Sequence, residues 1–262
     1  MNCTIKHGVM KKAFFLLMAA LLISCTLSAQ KTYPKDWESF EEGDPVMSFK
    51  GKSPTIVDFV NNFLAEPEDE LFGCLSEMWN KYRKGKPQDK GDTVIVDIRN
   101  GYVCFKDHTE DSYAKSYDET EICYWNCSDG KHKLLAFSND LWSDGKWVDG
   151  QYTGTSFYLY NIAKRGLTMV SNTGEELGIV VKTGWEGEIS GYDADNKTYF
   201  VQLNGKRKNM TKEEYHKFID ERPVVTYSLP RTGKNLIVYI NTPSSRKKVV
   251  FEWDGMYFHP AK

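Results

Sequence analysis

The segment ICYWNCSDGKHKLLAF, residues 122–137, decides how this chain is read. It places Cys123, Cys127 and His132 within ten positions, a spacing open to two interpretations: a metal or redox site, or a β-hairpin. The Asp129-Gly130 corner supplies the positive backbone angles of a tight turn. Counting outward from it pairs Cys127 with His132, Trp125 with Leu134 and Cys123 with Ala136 on one face. Tyr124 then meets Leu135, and Ile122 meets Phe137, on the other. Both faces are largely apolar, which predicts an interior strand pair covered on two sides. In an extended strand Cys123 and Cys127 lie ~13 Å apart at ~3.3 Å per residue, too far to bond each other. One thiolate beside His132 also leaves a four-ligand zinc site incomplete. The segment is therefore read as scaffold, with no metal ligand assigned.

The upstream segment DTVIVDIRNGYVCFKD, residues 92–107, carries the same kind of signal at Asn100-Gly101. A two-residue turn there pairs Asp97 with Cys104 and Val96 with Phe105, and puts Val94, Val96, Ile98, Val103 and Phe105 on one face. Before it lie two amphipathic stretches. SPTIVDFVNNFLAEP predicts a helix capped by Ser53 with Pro54 in its first turn, its buried stripe formed by Ile56, Phe59, Val60, Phe63 and Leu64. PEDELFGCLSEMWNKYRKG predicts a second, with Leu71, Cys74, Leu75, Met78 and Tyr82 on one face and basic residues before Gly85. After the hairpins, TSFYLYNI, ELGIVVKTGW, KTYFVQL, PVVTYSLP, NLIVYIN and KKVVFEW are strand candidates between Asp-Gly and Asn-Gly corners. TKEEYHKFI interrupts them with a capping box, Thr211 and Glu214. The expected fold class is α+β: predominantly antiparallel β-sheet with an N-terminal helical pair and one short helix in the C-terminal half. A glycine-rich boundary in GWEGEISG divides it into residues 31–185 and a β-rich region 186–262, unless the two form one continuous domain.

Residues 1–30 are read as a secretory signal. Lys11 and Lys12 precede the apolar run AFFLLMAALLI, shorter than the ~20 residues a bilayer span needs, and small residues follow. Cleavage after Ala29 or Gln30 releases the chain to the periplasm or exterior. The alternative is lipidation of Cys25 in LISC and anchoring in the outer membrane. No other apolar stretch is long enough to span a bilayer as a helix. Removing 1–30 takes away Lys6, Lys11 and Lys12 and no acid, moving the formal net charge from −2 to −5. An acidic chain is a poor partner for nucleic acid. Cys74, Cys104, Cys123 and Cys127 remain; in an exported protein a bridge from Cys104 to Cys123 or Cys127 stays open beside free buried thiols.

Catalytic templates are absent: no G-x-S-x-G elbow, H-E-x-x-H helix, phosphate loop or dinucleotide glycine run. No catalytic residue and no cofactor is assigned. Asp107, His108, Glu110 and Asp111 are expected in a solvated acidic loop, and DADNK, residues 193–197, in a turn. The one candidate binding element is LWSDGKWVDGQYTG, where a corner at Asp144-Gly145 sets Trp142 opposite Trp147 with Tyr152 behind. These rings suit either a packed cross-strand pair or a platform for a sugar or a protein.

The C-terminal segment RPVVTYSLPRTGKNLIVYINTPSSRKKVVFEWDGMYF resembles the ending of uncharacterised secreted proteins of Gram-negative bacteria. The shared elements are Leu229-Pro230-Arg231, Gly233, the strand 236–240 and Trp253. NGYVCF followed by CYWNCSDGKHKLLAF is similar to an earlier part of such proteins. The resemblance implies an exported, β-rich protein. The functional expectation is a noncatalytic binding or interaction protein with a protein or glycan ligand. Its alternatives are a carbohydrate-binding module using Trp142, Trp147 and Tyr152, and a hydrolase whose carboxylates the sequence does not single out.

Overall fold

The computed structural model describes residues 46–65, 70–110, 115–143, 146–148, 154–185, 188–203, 205–242 and 245–262. The signal segment, Cys25 and Tyr152 lie outside the described residues. Helices α1 (Ile56–Phe63) and α2 (Glu70–Arg83) precede a central antiparallel sheet. Its strands are β1 (Thr93–Asp97), β2 (Tyr102–Glu110), β3 (Lys115–Asn126), β4 (His132–Ser143), β6 (Gly154–Asn161) and β7 (Gly166–Met169), hydrogen-bonded in that order, and β5 (Lys146–Val148) pairs with the end of β4. The short helix α3 (Thr173–Leu177) leads to a small sheet, β8 (Ile189–Asp193), β9 (Thr198–Leu203) and β10 (Lys206–Met210), followed by α4 (Lys212–Asp220). A C-terminal meander closes the chain: β11 (Val224–Ser228), β12 (Asn235–Thr242), β13 (Ser245–Trp253) and β14 (Phe258–Pro260). The fold is thus β-rich α+β, as the patterning predicts.

The Asp129-Gly130 hairpin has the expected register: Trp125 pairs with Leu134, Tyr124 with Leu135, Cys123 with Ala136 and Ile122 with Phe137. Both faces are covered. On one, Ile56, Val60, Leu75, Met78 and Trp79 of the helices pack on Val103, Phe105 and Ile122. Phe59 meets Tyr160 edge-on at 5.1 Å beside Leu135. On the other face lies the C-terminal sheet, joined to the central one by named bonds. Trp125 Nε1 donates to the Lys234 carbonyl (3.1 Å), Trp253 Nε1 to the Asn126 carbonyl (3.1 Å), and the Ser128 amide to the Gly255 carbonyl (2.8 Å). Gly255 has φ +102°, and a Cβ there would stand 2.8 Å from Ser128 Cβ, so this junction requires glycine.

Four local expectations need correction. The Asn100-Gly101 hairpin is offset by two residues: Val96 pairs with Val103 and Val94 with Phe105. The loop is wider because Asp97 accepts from the Asn100 amide and Nδ2 (3.1 and 2.9 Å), closing an Asx turn over Ile98 and Arg99. A two-residue shift preserves side-chain parity, so the buried face survives and only Ile98 leaves it, 56% exposed. Helix α1 starts after Thr55, not Ser53, because Thr55 and Asp58 form the reciprocal capping box. The stripe of α2 is turned toward Trp79, whose indole donates to Asn61 Oδ1 (2.9 Å) and stacks on the exposed Tyr82. Cys74 therefore lies at the exposed edge of the helix–sheet interface. Finally, 178–185 of ELGIVVKTGW is irregular rather than strand. Asn172 caps α3 there, and Gly178 ends it in the left-handed region against the Phe258 carbonyl.

Candidate functional site

Period-2 alternation sends Cys104 and Lys106 of β2, Glu119 and Glu121 of β3, and Asp140 and Trp142 of β4 to the face that meets the C-terminal sheet. Where the two sheets diverge they leave a cavity of about 150 Å³, lined by Glu119, Glu121, Asp140 and Trp142 on one side and Tyr239 and Arg246 on the other. Glu119 and Asp140 are direct register partners, which places their Cβ atoms about 4.5–5.5 Å apart.

The carboxylates have different surroundings. Glu119 Oε1 is paired with Lys106 Nζ (2.7 Å), which raises the lysine, and the Cys104 thiol points at the same oxygen from 3.7 Å. Burial, then the Glu119 charge, pushes that thiol up to about 12. Glu121 has both oxygens committed. Oε1 accepts from Tyr102 Oη (2.6 Å) and Oε2 from the Leu229 amide (2.9 Å), so it bridges β2, β3 and the chain leaving β11. Burial raises its carboxyl above the ordinary value despite those two donors, and burial with the Glu121 charge raises the Tyr102 phenol far above its own. Arg246 lies over the Tyr239 ring, 3.8 Å from its centroid.

Trp142 sits at the rim in a ladder of rings crossing the sheet. His108, Tyr117 and Trp142 are successive register partners on β2, β3 and β4, and Trp147 on β5 is the next. His108 stacks on Tyr117 at 5.6 Å, and Tyr117 on Trp142 at 6.0 Å with the planes 9° apart, an offset stack. The predicted opposition of Trp142 and Trp147 is thus present in the backbone pairing, whereas the part played by Tyr117 and the neighbouring Glu119–Asp140 pair went unread. Continuing the register outward from Asp129-Gly130 reaches both pairs, so the information lay in the sequence. Asp107, His108 and Glu110, expected in a loop, belong to β2; Asp111 lies outside the described residues. Pairing with β3 extends the strand, and Asp107 turns to the helical face, where Cys74 Sγ donates to it (3.0 Å).

Cys123, Cys127 and His132, with which the sequence raised a metal or redox question, serve the scaffold. His132 Nδ1 lies 2.6 Å from Asp129 Oδ2 and its Nε2 3.1 Å from Asn161 Nδ2, contacts that tie the ring to the hairpin corner and to β6. Cys104, Cys123 and Cys127 are buried and none of them is in a disulfide, so the bridge left open from Cys104 is not formed. Cys104 pairs with Glu121 and Tyr102 with Cys123, making the two cysteines diagonal neighbours. Such positions lie roughly 7–8 Å apart, beyond ordinary disulfide spacing. The DADNK segment forms the β8–β9 turn, where Asp193 accepts from the Asn196 amide and Nδ2 (both 3.1 Å) and pairs with Arg207. Among the described residues no helix is long and apolar enough to cross a membrane. Comparison of the chain with protein-family models, curated proteins and solved structures gives no match.

Proposed function

We propose that this is an exported, noncatalytic binding protein whose ligand is a sugar-like molecule seated between the central and C-terminal sheets. The observation that carries the reading is the juxtaposition of Trp142, stacked on Tyr117, with the Glu119–Asp140 pair and Arg246 around one cavity. A ring offers an apolar face to sugar C–H groups, while carboxylates and a guanidinium take hydroxyls. A volume of about 150 Å³ is below the ~300–1,000 Å³ of sites for drug-sized molecules and suits a single ring or a chain end. Export rests on the basic, apolar, small-residue order of residues 1–30, with release after Ala29 or Gln30 and lipidation at Cys25 as its two forms. Intact mass of exported protein separates the two.

A glycan array of neutral and amino sugars tests the binding reading. Retention that disappears in Trp142→Ala supports it, and a blank array overturns it. A second reading, hydrolysis, is favoured by one observation, the register pairing of Glu119 with Asp140 in the lining of the cavity. Retaining glycosidases place such groups about 5–5.5 Å apart. Against it, Glu119 is ion-paired and the raised carboxyl of Glu121 is committed to the sheet junction. Product release from any retained glycan, abolished by Asp140→Asn, would replace binding by catalysis.

A further inference from the structure

A larger groove lies on the small sheet, far along the chain from the ladder of rings. Tyr192 and Tyr199 are register partners on β8 and β9 with ring centroids 5.1 Å apart, and Tyr199 continues to Tyr215 of α4 at 4.8 Å. These rings do not close into a core: Tyr192 is 55% exposed. Tyr192 and Tyr199 floor a depression of about 700 Å³ whose walls include Lys197 and Lys212. That volume is within the range of small-molecule sites.

Three features give the groove a chemical preference. Lys197 has φ +50°, a conformation few long side chains adopt, and the Asp193–Asn196 turn holds it there. The ammonium groups of Lys197 and Lys212 have no ion-pair partner among the described residues, whereas the nearby Arg207 and Arg222 are paired with Asp193 and Glu188. The lining holds one carboxylate against these two lysines, Glu214, whose Oε2 is held by the Thr211 amide (2.9 Å) in the capping box of α4. A stepped pair of exposed phenols with two uncommitted cations beside it is complementary to a ligand with a flat C–H face and a carboxylate on its edge.

We infer that this groove is a second binding site, selective for saccharides that carry carboxylates, of the uronic-acid class. It is independent of the cavity at Trp142, whose carboxylates disfavour such a ligand. The test is isothermal titration of the full mature chain with trigalacturonic acid and, separately, with neutral maltotriose. Trigalacturonic acid should bind in preference to maltotriose. Tyr192→Ala should weaken it about tenfold, the loss of one ring face. The double variant Lys197→Gln/Lys212→Gln should bring the two trisaccharides near parity and remove the salt dependence of the acidic one. Trp142→Ala should leave the trigalacturonic acid titration unchanged and remove only the heat that the cavity contributes with maltotriose, which separates failure of this site from failure of the cavity. Absence of heat with trigalacturonic acid at millimolar concentration, equal binding of maltotriose by Trp142→Ala, or undiminished trigalacturonic acid binding by folded Tyr192→Ala would each overturn the assignment.

Discussion

Strands β4 and β10 are both antiparallel, β4 paired on both sides and β10 with β9 at an edge, and they are stabilised differently. β4 is buried on both faces from His132 to Ala136, sandwiched between helices and the C-terminal sheet, whereas β10 exposes Lys206, Arg207, Lys208 and Asn209 to solvent. In the first case burial on two sides holds the strand. In the second, local devices do so: the Asx turn at Asp193, the Asp193–Arg207 pair, and Arg207 lying 4.0 Å above the Phe200 ring. Antiparallel pairing therefore builds a doubly covered core strand in one place and an exposed edge in the other. The two candidate binding regions inherit that difference, one a narrow cavity between layers, the other an open groove.

The largest expected effect comes from the doubly covered region. Phe105 is fully buried against Val60, Met78 and Trp79, and Phe105→Ala should cost about 3–5 kcal/mol in denaturant unfolding. A loss below about 1 kcal/mol would mean that the helices do not seal this face. The same truncation at Phe200 of the small sheet, half-buried under Arg207, should cost clearly less. Equal losses would erase the distinction between the sheets.

Next comes the junction between the central and C-terminal sheets. Glu121→Ala leaves Tyr102 Oη and the Leu229 amide without their acceptor in a buried place, and should cost about 2–4 kcal/mol. Glu121→Gln keeps an acceptor and should cost less. pH separates charge from hydrogen bonding. Burial raises the folded-state carboxyl above its usual value of 4.5, so the folded protein takes up this proton more readily than the unfolded chain. The associated stability is complete below the unfolded value and is lost as pH rises through the folded one. Relative to Glu121→Gln, the parent should therefore gain stability as pH falls from 7 toward 4.5. A flat difference curve would show that the carboxyl is not desolvated and that water reaches the junction.

Legibility from sequence follows the same division. The pairing around Asp129-Gly130 was readable because a two-residue corner sets the register, while apolar residues on both faces mark the strands as interior, and Trp125 opposite Leu134 is its direct result. Parity also protected the Val94, Val96, Val103 and Phe105 face when the Asp97 side chain widened the turn. KRKNM was missed as a strand because it is held by pairing with β9, not by burial, and carries no alternation to read. The cavity was half legible. Trp142 could be singled out by its pattern, but Glu119 and Asp140 look like solvated charge until β3 and β4 are extended to their full length. Glu121 was invisible, since its partner at Leu229 is more than a hundred residues away.

Trp142→Ala has an intermediate expectation that distinguishes a platform from a core pair. Loss of its stack on Tyr117 should cost about 0.5–1.5 kcal/mol of stability. The same change should abolish retention on the glycan array. A stability loss near that of Phe105→Ala with no binding to lose would make the ladder of rings purely structural.

The smallest effect is expected at the most exposed of these electrostatic contacts. Asn196 donors, then Arg207, hold the Asp193 carboxyl down at about 2, from an ordinary 3.8. The sign is opposite to that of Glu121: the stability it supplies is present above the unfolded value and is lost as pH falls through the folded one. Because solvent screens the pair, Asp193→Asn should shift the thermal midpoint at neutral pH by little more than replicate scatter. Parent and variant should converge as pH falls through 2, and added salt should narrow any difference between them. A large loss in Asp193→Asn, comparable with Glu121→Ala, would mean that the β8–β9 turn is a keystone of the small sheet. Its surface would then be pre-organised by charge, and the contrast with the central sheet would be one of means instead of degree.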